Sequence, residues 1–235
     1  MSFVRRPSVV ESDRRYPNNV VADSVPDLDD YRWLTRLQAQ PFLQAAAGIQ
    51  ASPAEVARLR KDLSPARVHL VLEQAELRQR AARKFHRAEA MFFTRRGLEQ
   101  ATDQLVAAYK AARLAESVLS GGPVVDLCCG IGGDLLALAA LPHRAAGRHE
   151  AQEGEAKDQQ VLGVDADPVI ALLAQANLAA NDLDGGARVV AADVFDAPVQ
   201  SALASAAAWH IDPDRRSQGK RTTRLEAFSP SLEQL

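Results

Sequence analysis

The chain has 235 residues, 47% of them hydrophobic, enough for one α/β domain with an appended segment and a sizeable core. With 28 lysines and arginines against 30 aspartates and glutamates, the formal net charge of −2 excludes a uniformly basic protein and leaves room for a locally basic face. No run approaches the roughly 18 apolar residues of a membrane span. Met1 to Val10 carries Arg5 and Arg6 with no apolar stretch behind them, so neither a membrane segment nor a signal peptide is expected and a cytoplasmic protein is.

Residues 1–25 are rich in Arg, Pro, Asn and Asp without period and read as an irregular leader. Residues 26–120 read as an all-α region. Leu34, Leu37, Phe42 and Leu43 share a helical face interrupted at Pro41, and Ser52-Pro53-Ala54-Glu55 has the form of a helix start with proline in the first turn. Ser64-Pro65 opens another start, from which Val68, Leu72, Ala75, Leu77, Ala81, Ala82 and Phe85 predict a long helix. A further helix is predicted from Leu98 to Leu119, with Leu105, Val106, Tyr109, Ala112 and Leu119 on its inner face.

Residues 121–235 change character at Gly121-Gly122-Pro123, where strands begin to alternate with helices, the pattern of an α/β fold with a mainly parallel sheet. A first strand is expected over Val124 to Leu127 and its helix over Asp134 to Leu141; the polar stretch from His143 to Gln160 reads as a surface insertion. Val161 to Val164 forms the second strand, followed by a helix from Val169 to Asn181. Arg188 to Ala191 and Ala206 to Ile211 form the third and fourth.

Between the first strand and its helix lies Asp126-Leu127-Cys128-Cys129-Gly130-Ile131-Gly132-Gly133-Asp134, a glycine-rich turn in which a nucleoside ligand can approach bare backbone. Asp126 would repel a pyrophosphate, and counting from Gly130 the third glycine of a dinucleotide fingerprint is replaced by Leu135. S-adenosylmethionine is therefore the expected cofactor. Cys128 and Cys129, the only cysteines, are adjacent and form neither a disulfide framework nor a metal site; no metal is expected, and they read as small residues beneath the turn.

All four strands carry an aspartate at their ends, and in an open parallel sheet those ends border the ligand crevice. Asp165 is placed to accept both ribose hydroxyls, while Asp167 caps the next helix. Asp193 is placed for the adenine amine, with the backbone N–H of Val194 for a ring nitrogen. Asp212 and Pro213 stand where an acceptor amine would meet the transferable methyl, making them the candidate catalytic pair; His210 reads as packing. Two basic groups, Arg78, Arg80, Arg83, Lys84, Arg87, Arg95 and Arg96, then Arg215, Arg216, Lys220, Arg221 and Arg224, flank this region and predict RNA contact. The oligomeric state is left open.

With these motifs in order, the second half resembles a class I S-adenosylmethionine-dependent methyltransferase over about Val124 to Leu232, implying a Rossmann-like sheet. More closely, Lys84-Phe85, the run from Phe93 to Thr102, Cys129 to Asp134 and Ser229-Pro230-Ser231-Leu232 are similar to bacterial methyltransferases with a C-terminal THUMP-like domain. That group resembles the trimethylguanosine synthases, which methylate an exocyclic guanine amine in RNA. The resemblance implies that Thr94, Gly97 and Gln100 to Thr102 line the site, and that the cofactor set comprises Asp126, Cys128, Gly130, Gly132, Gly133, Asp134, Asp165, Ala166, Asp193, Val194, Thr94 and Gln100.

Two departures accompany it. Asp214 occupies the third position of the motif that begins Asp212-Pro213, adding negative charge beside an incoming base. Four strands are recognisable where a class I sheet has seven, so the sequence reads as a truncated domain. The alternatives are a non-catalytic S-adenosylmethionine- or RNA-binding module, or an inactive piece of a longer enzyme.

Overall fold

The computed structural model describes residues 25–48, 52–117, 122–141 and 161–213. The expected leader, the 143–160 insertion, Asp214 and the second basic group lie outside the described residues, apart from Val25. Among the described residues six α-helices come first, with a short 3-10 helix at Leu37–Ala39 between the first two: α1 (Leu28–Leu34), α2 (Gln40–Ala46), α3 (Pro53–Leu59), α4 (Pro65–Ala81), α5 (Arg95–Gln100) and α6 (Gln104–Ser117). There follow β1 (Val124–Leu127), α7 (Gly133–Ala139), β2 (Val161–Asp165), α8 (Pro168–Ala180), β3 (Ala187–Ala191), α9 (Ala197–Ser205) and β4 (Ala208–Ile211).

Local chemistry sets most of these starts. Ser52 and Ser64 each accept an N–H from the first turn of the helix they open, with proline at the first helical position. Asp27 caps α1 through a reciprocal pair with Asp30. Asp167 caps α8 as the sequence predicts, its carboxylate accepting from the N–H groups of Val169 and Ile170.

Two helical expectations need correction. The long helix through Phe85 ends at Ala81, and Phe85 lies buried in the turns that follow. The helix predicted from Leu98 to Leu119 is two helices. Ala101 takes an extended conformation after α5, and the Asp103 carboxylate accepts the Leu105 N–H to restart the chain as α6. The buried face of α6 is Ala107 and Ala111, whereas Leu105, Val106 and Tyr109 are exposed and so is Ala112. Small residues let α6 lie close against α7, so the bulky stripe turns outward; Leu119 is not among the described residues.

All described strands are parallel, in the order β3-β2-β1-β4. One face packs on α7 and α8 through Leu135, Leu138, Val161, Ala174, Leu178 and Ala187, with Ala111 of α6 in the same cluster. The other face meets α9 through Val125, Leu127, Val164 and Val199. The N-terminal helices are continuous with this core. Leu173 of α8 packs with Trp33, Leu34, Leu70 and Phe92, and Ile131 of the glycine turn packs with Leu77, Phe93 and Leu98.

Two buried amides hold the strand-like segment before α5. Gln74 donates to the Phe93 carbonyl at 2.6 Å and accepts its N–H at 3.0 Å. Asn177 does the same for Phe92 at 3.0 and 2.7 Å, and also donates to the Ile131 carbonyl at 2.9 Å. Each fully buried side chain thereby satisfies a stretch of backbone that no described strand pairs.

Candidate functional site at the β1 and β4 ends

The chain runs outward from β1 to β2 and β3, then returns to the opposite side of β1 as β4. This reversal opens a crevice at the carboxyl ends of β1 and β4, the position where open α/β sheets bind ligands. The turn after β1 supplies its floor. Cys128, Gly130 and Gly132 all have positive φ, at 55°, 57° and 97°. Gly132 is the residue before α7, and nothing lies within 4 Å of where a Gly130 Cβ would be, so backbone conformation and not crowding asks for glycine there.

The helical region closes over this turn. A Cβ on Gly97 would stand 2.5 Å from Ile131 Cγ2, and one on Gly133 would stand 3.0 Å from the backbone nitrogen of Thr102. Gly97 and Thr102 thus lie against the turn. Thr94 sits at the start of α5, where its hydroxyl accepts the Gly97 N–H at 2.9 Å. Gln100 and Ala166 are exposed, at the end of α5 and just before the α8 cap.

Asp126 and Asp134 carry the charge beneath. Asp126 is 1% exposed, and its Oδ1 lies 2.8 Å from His210 Nδ1. Burial pushes the Asp126 carboxyl up against the opposing pull of His210, while the bond to Asp126 raises His210. Asp134 Oδ2 accepts from the Thr102 hydroxyl at 2.7 Å and from Lys110 Nζ at 3.0 Å. The remaining oxygens, Asp126 Oδ2 and Asp134 Oδ1, are buried without a hydrogen-bond partner among the described residues. Such atoms are costly unless something else satisfies them.

Asp165 accepts the N–H groups of Gly130 and Asp167, each at 3.0 Å, so it braces the glycine turn as well as facing the crevice; burial raises its carboxyl. Asp193 is exposed in a tight turn that accepts the Phe195 N–H at 3.0 Å, and Val194 behind it is buried. Asp212 follows β4 with its Oδ2 4.0 Å from Lys110 Nζ, and Pro213 is the next residue. Cys128 lies among these groups. Burial pushes its thiol up to about 12, and the fields of Asp165, Asp126, Asp193 and Asp212 add to the rise. One side chain therefore feels all four strand-end carboxylates, which the sequence placed on one edge. No group of residues suited to a metal ion occurs among the described residues.

His210 corrects the packing expectation, and Lys110 was not singled out from sequence. The contact follows from the observed register, in which Asp126 and His210 are each the third residue of strands that pair from Val124 with Ala208, two residues later than the predicted start of the fourth strand at Ala206. No pattern in the sequence marks Lys110, because α6 reaches the crevice only through tertiary packing.

The first basic group is largely consumed internally. Arg78 donates to the Met91 carbonyl, Arg80 pairs with Glu76 and Glu99, Arg87 with Asp182, and Arg95 with Glu73 and Glu76. Lys84 Nζ donates to the carbonyls of Leu98 at 2.8 Å and Ala101 at 2.9 Å. Arg83 is exposed and makes no ion pair with another described residue. No described helix is long and apolar enough to cross a membrane.

A family described as a domain of unknown function (DUF8688) matches residues 27–81. Two Mycobacterium tuberculosis proteins, from strains CDC 1551 and H37Rv and each named an uncharacterized S-adenosylmethionine-dependent methyltransferase, are 34% identical over 168 residues. The match covers 69% of this chain and 39% of each relative, so the chain spans well under half of their length. A crystal structure of a candidate methyltransferase from Porphyromonas gingivalis W83 superimposes with a TM-score of 0.61 at 21% identity, over 89% of this chain and 46% of that one. The likeness in fold bears out the Rossmann-like α/β sheet.

Proposed function

Because 168 residues of this chain match proteins named S-adenosylmethionine-dependent methyltransferases at 34% identity, we infer that it belongs with them, binds S-adenosylmethionine in the β1/β4 crevice and transfers its methyl group. One observation carries the reading most directly. Two buried carboxylate oxygens, Asp126 Oδ2 and Asp134 Oδ1, lack a partner among the described residues and stand on either side of a glycine turn at the strand-order reversal. A ligand bearing an ammonium group suits them, whereas a pyrophosphate does not.

The residues present fit this cofactor. Asp126 and Asp134 would take its amino-acid end and the turn from Cys128 to Gly133 its body. Asp165 would take the ribose hydroxyls, and Asp193 with the Val194 N–H the adenine. When bound, the cofactor supplies a methyl group on a sulfonium that leaves as a neutral thioether. Asp212, with rigid Pro213 behind it, would accept a hydrogen bond from the acceptor nitrogen and hold it in place, so that rate comes from positioning. Thr94 and Gln100 enter this proposal as wall residues; the Thr94 hydroxyl already caps α5 and acts by holding Gly97 on the turn.

The acceptor we propose is RNA, at an exocyclic base amine, by the likeness to the THUMP-like and trimethylguanosine synthase groups. Exposed Arg83 supports the reading on the surface; the paired cations of the same group support the fold instead. Calorimetric titration with S-adenosylhomocysteine, followed by transfer of labelled methyl to a total-RNA pool, tests both steps. Binding without transfer would favour the non-catalytic module, and no binding by folded protein would remove the cofactor.

A further inference from the structure

Lys110 stands on α6, outside the sheet, yet its ammonium reaches both ends of the crevice. Nζ lies 3.0 Å from Asp134 Oδ2, 3.2 Å from Thr102 Oγ1 and 4.0 Å from Asp212 Oδ2. Asp134 sits in the first turn of α7, behind the glycine turn, while Asp212 follows β4 on the other side. Two hydrogen bonds anchor the lysine at the Asp134 end, and the Lys110 and Asp212 side chains are 36% and 38% exposed. The pair is thus wet enough to adjust and close enough to feel each other's charge.

We propose that Lys110 is a positioning residue that offsets the charge of Asp212, so that the acceptor side of the site receives a neutral nitrogen and does not collect cationic amines. The inference rests on the methyltransferase reading above. Its logic follows from the surroundings. Asp126, Asp165, Asp193 and Asp212 all act on Cys128, so the strand ends present an edge rich in negative charge. Such an edge, left uncompensated, would attract any ammonium. A protonated amine has no lone pair with which to take a methyl group, so its capture would occupy the site unproductively. An exocyclic base amine is neutral, donates hydrogen bonds to a carboxylate, and gains little from excess negative charge. Lys110 lowers the field at Asp212 without removing its acceptor oxygens, which tilts selection toward the neutral nitrogen.

Two ligands that differ in charge at the reacting position provide the test. S-adenosylhomocysteine has a neutral thioether there, whereas sinefungin has a carbon in place of the sulfur and, on that carbon, an ammonium in place of the transferable methyl. Their affinities would be measured calorimetrically for the wild type and for Lys110→Met, Lys110→Gln, Lys110→Arg and the double variant Lys110→Met with Asp212→Asn. Lys110→Met should shift the preference toward sinefungin by about three- to fivefold, the upper range for a half-exposed charge pair. Lys110→Gln, which retains hydrogen-bonding capacity toward Thr102 and Asp134, should show the same shift should the methionine variant fold poorly. Lys110→Arg should keep the wild-type ratio, and Asp212→Asn should restore it in the methionine background. A purely structural lysine would weaken both ligands in parallel, and that result, or an unchanged ratio, overturns the proposal. Failure of the folded wild type to bind either ligand would sink the methyltransferase reading itself, and this inference with it.

Discussion

Asp126 on β1 and His210 on β4 are register partners across the sheet, and His210 Nδ1 lies 2.8 Å from Asp126 Oδ1. The contact follows from strand pairing, so wherever the sheet forms, the imidazole meets the buried carboxylate. It links the glycine turn, two residues after Asp126, to the acceptor motif, two residues after His210.

The same pair makes stability depend on pH. Asp126 raises His210 from the ordinary value of 6.5, so the folded state holds this proton more tightly than the unfolded state. The stabilisation is fully present below pH 6.5 and is lost as pH rises through the raised value. Thermal unfolding of the wild type and His210→Asn between about pH 6 and 8 checks this. The variant should be less stable by roughly 1.5–3 kcal/mol at the acid end, with the gap narrowing toward pH 8. A gap independent of pH would mean that the pair holds no charge.

Gly97 is where the helical region bears on the turn. With Ile131 Cγ2 2.5 Å and Thr94 Oγ1 2.8 Å from its Cβ position, Gly97→Ala must displace α5 or Ile131. A cost of about 1–3 kcal/mol in urea unfolding is expected, as for other overpacked sites. S-adenosylhomocysteine affinity should fall in the same variant, because Ile131 belongs to the cofactor turn. Loss of stability with unchanged affinity would separate α5 from the site.

Much of this was legible in sequence because it is local. The glycine turn, the serine and aspartate caps and the four strand-end aspartates depend on residues a few positions apart, and the parallel order follows from alternation of strands and helices. The inner face of α6 was not legible. Apolar periodicity selected Leu105, Val106 and Tyr109, but close approach to α7 selected Ala107 and Ala111. Lys110 was invisible for the same reason, and so was the internal pairing of much of the basic group, which draws on partners both near, as Glu76 is to Arg80, and far, as Asp182 is to Arg87.

Arg83 and Lys84 are adjacent cations with opposite roles. Lys84 Nζ donates to carbonyls at the end of α5, and burial lowers its affinity for the proton, whereas Arg83 faces solvent. Lys84→Ala should cost about 1–2 kcal/mol of stability through unsatisfied carbonyls, and Arg83→Ala should stay within about 0.5 kcal/mol. Chemical denaturation of the two variants decides. In an RNA-binding assay Arg83→Ala should reduce both affinity and salt dependence if this face contacts phosphates.

Cys128 adopts φ 55°, a conformation costly for any residue with a Cβ. Cys128→Gly removes that strain at the expense of unfolded-chain entropy, so its stability should lie between neutral and a gain of about 1 kcal/mol. The raised thiol also predicts inertness. With Cys128 pushed to about 12 and Cys129 buried and raised well above 9.0, iodoacetamide at neutral pH should leave both unmodified in the folded protein and alkylate both in denaturant. Rapid labelling of the native state would show that the turn opens.

Asp165 has two duties that one substitution would confuse. Its oxygens brace Gly130 and Asp167 through backbone N–H groups, and the proposed ribose contact uses the same carboxylate. Asp165→Ala should weaken S-adenosylhomocysteine by about 1.5–3 kcal/mol, the worth of hydrogen bonds to a charged group. Asp165→Asn keeps one acceptor oxygen for Gly130 and turns an amide toward Asp167, so it should retain more of the turn than alanine while still losing the charge. Unfolding measurements report the bracing, and Kd reports the ligand contact. Because burial raises this carboxyl from 3.8, wild-type affinity should begin to fall at a higher pH than an ordinary aspartate would produce, and that inflection should vanish in Asp165→Asn. An alanine variant that loses stability but keeps its Kd would leave Asp165 as a brace and move the ribose elsewhere.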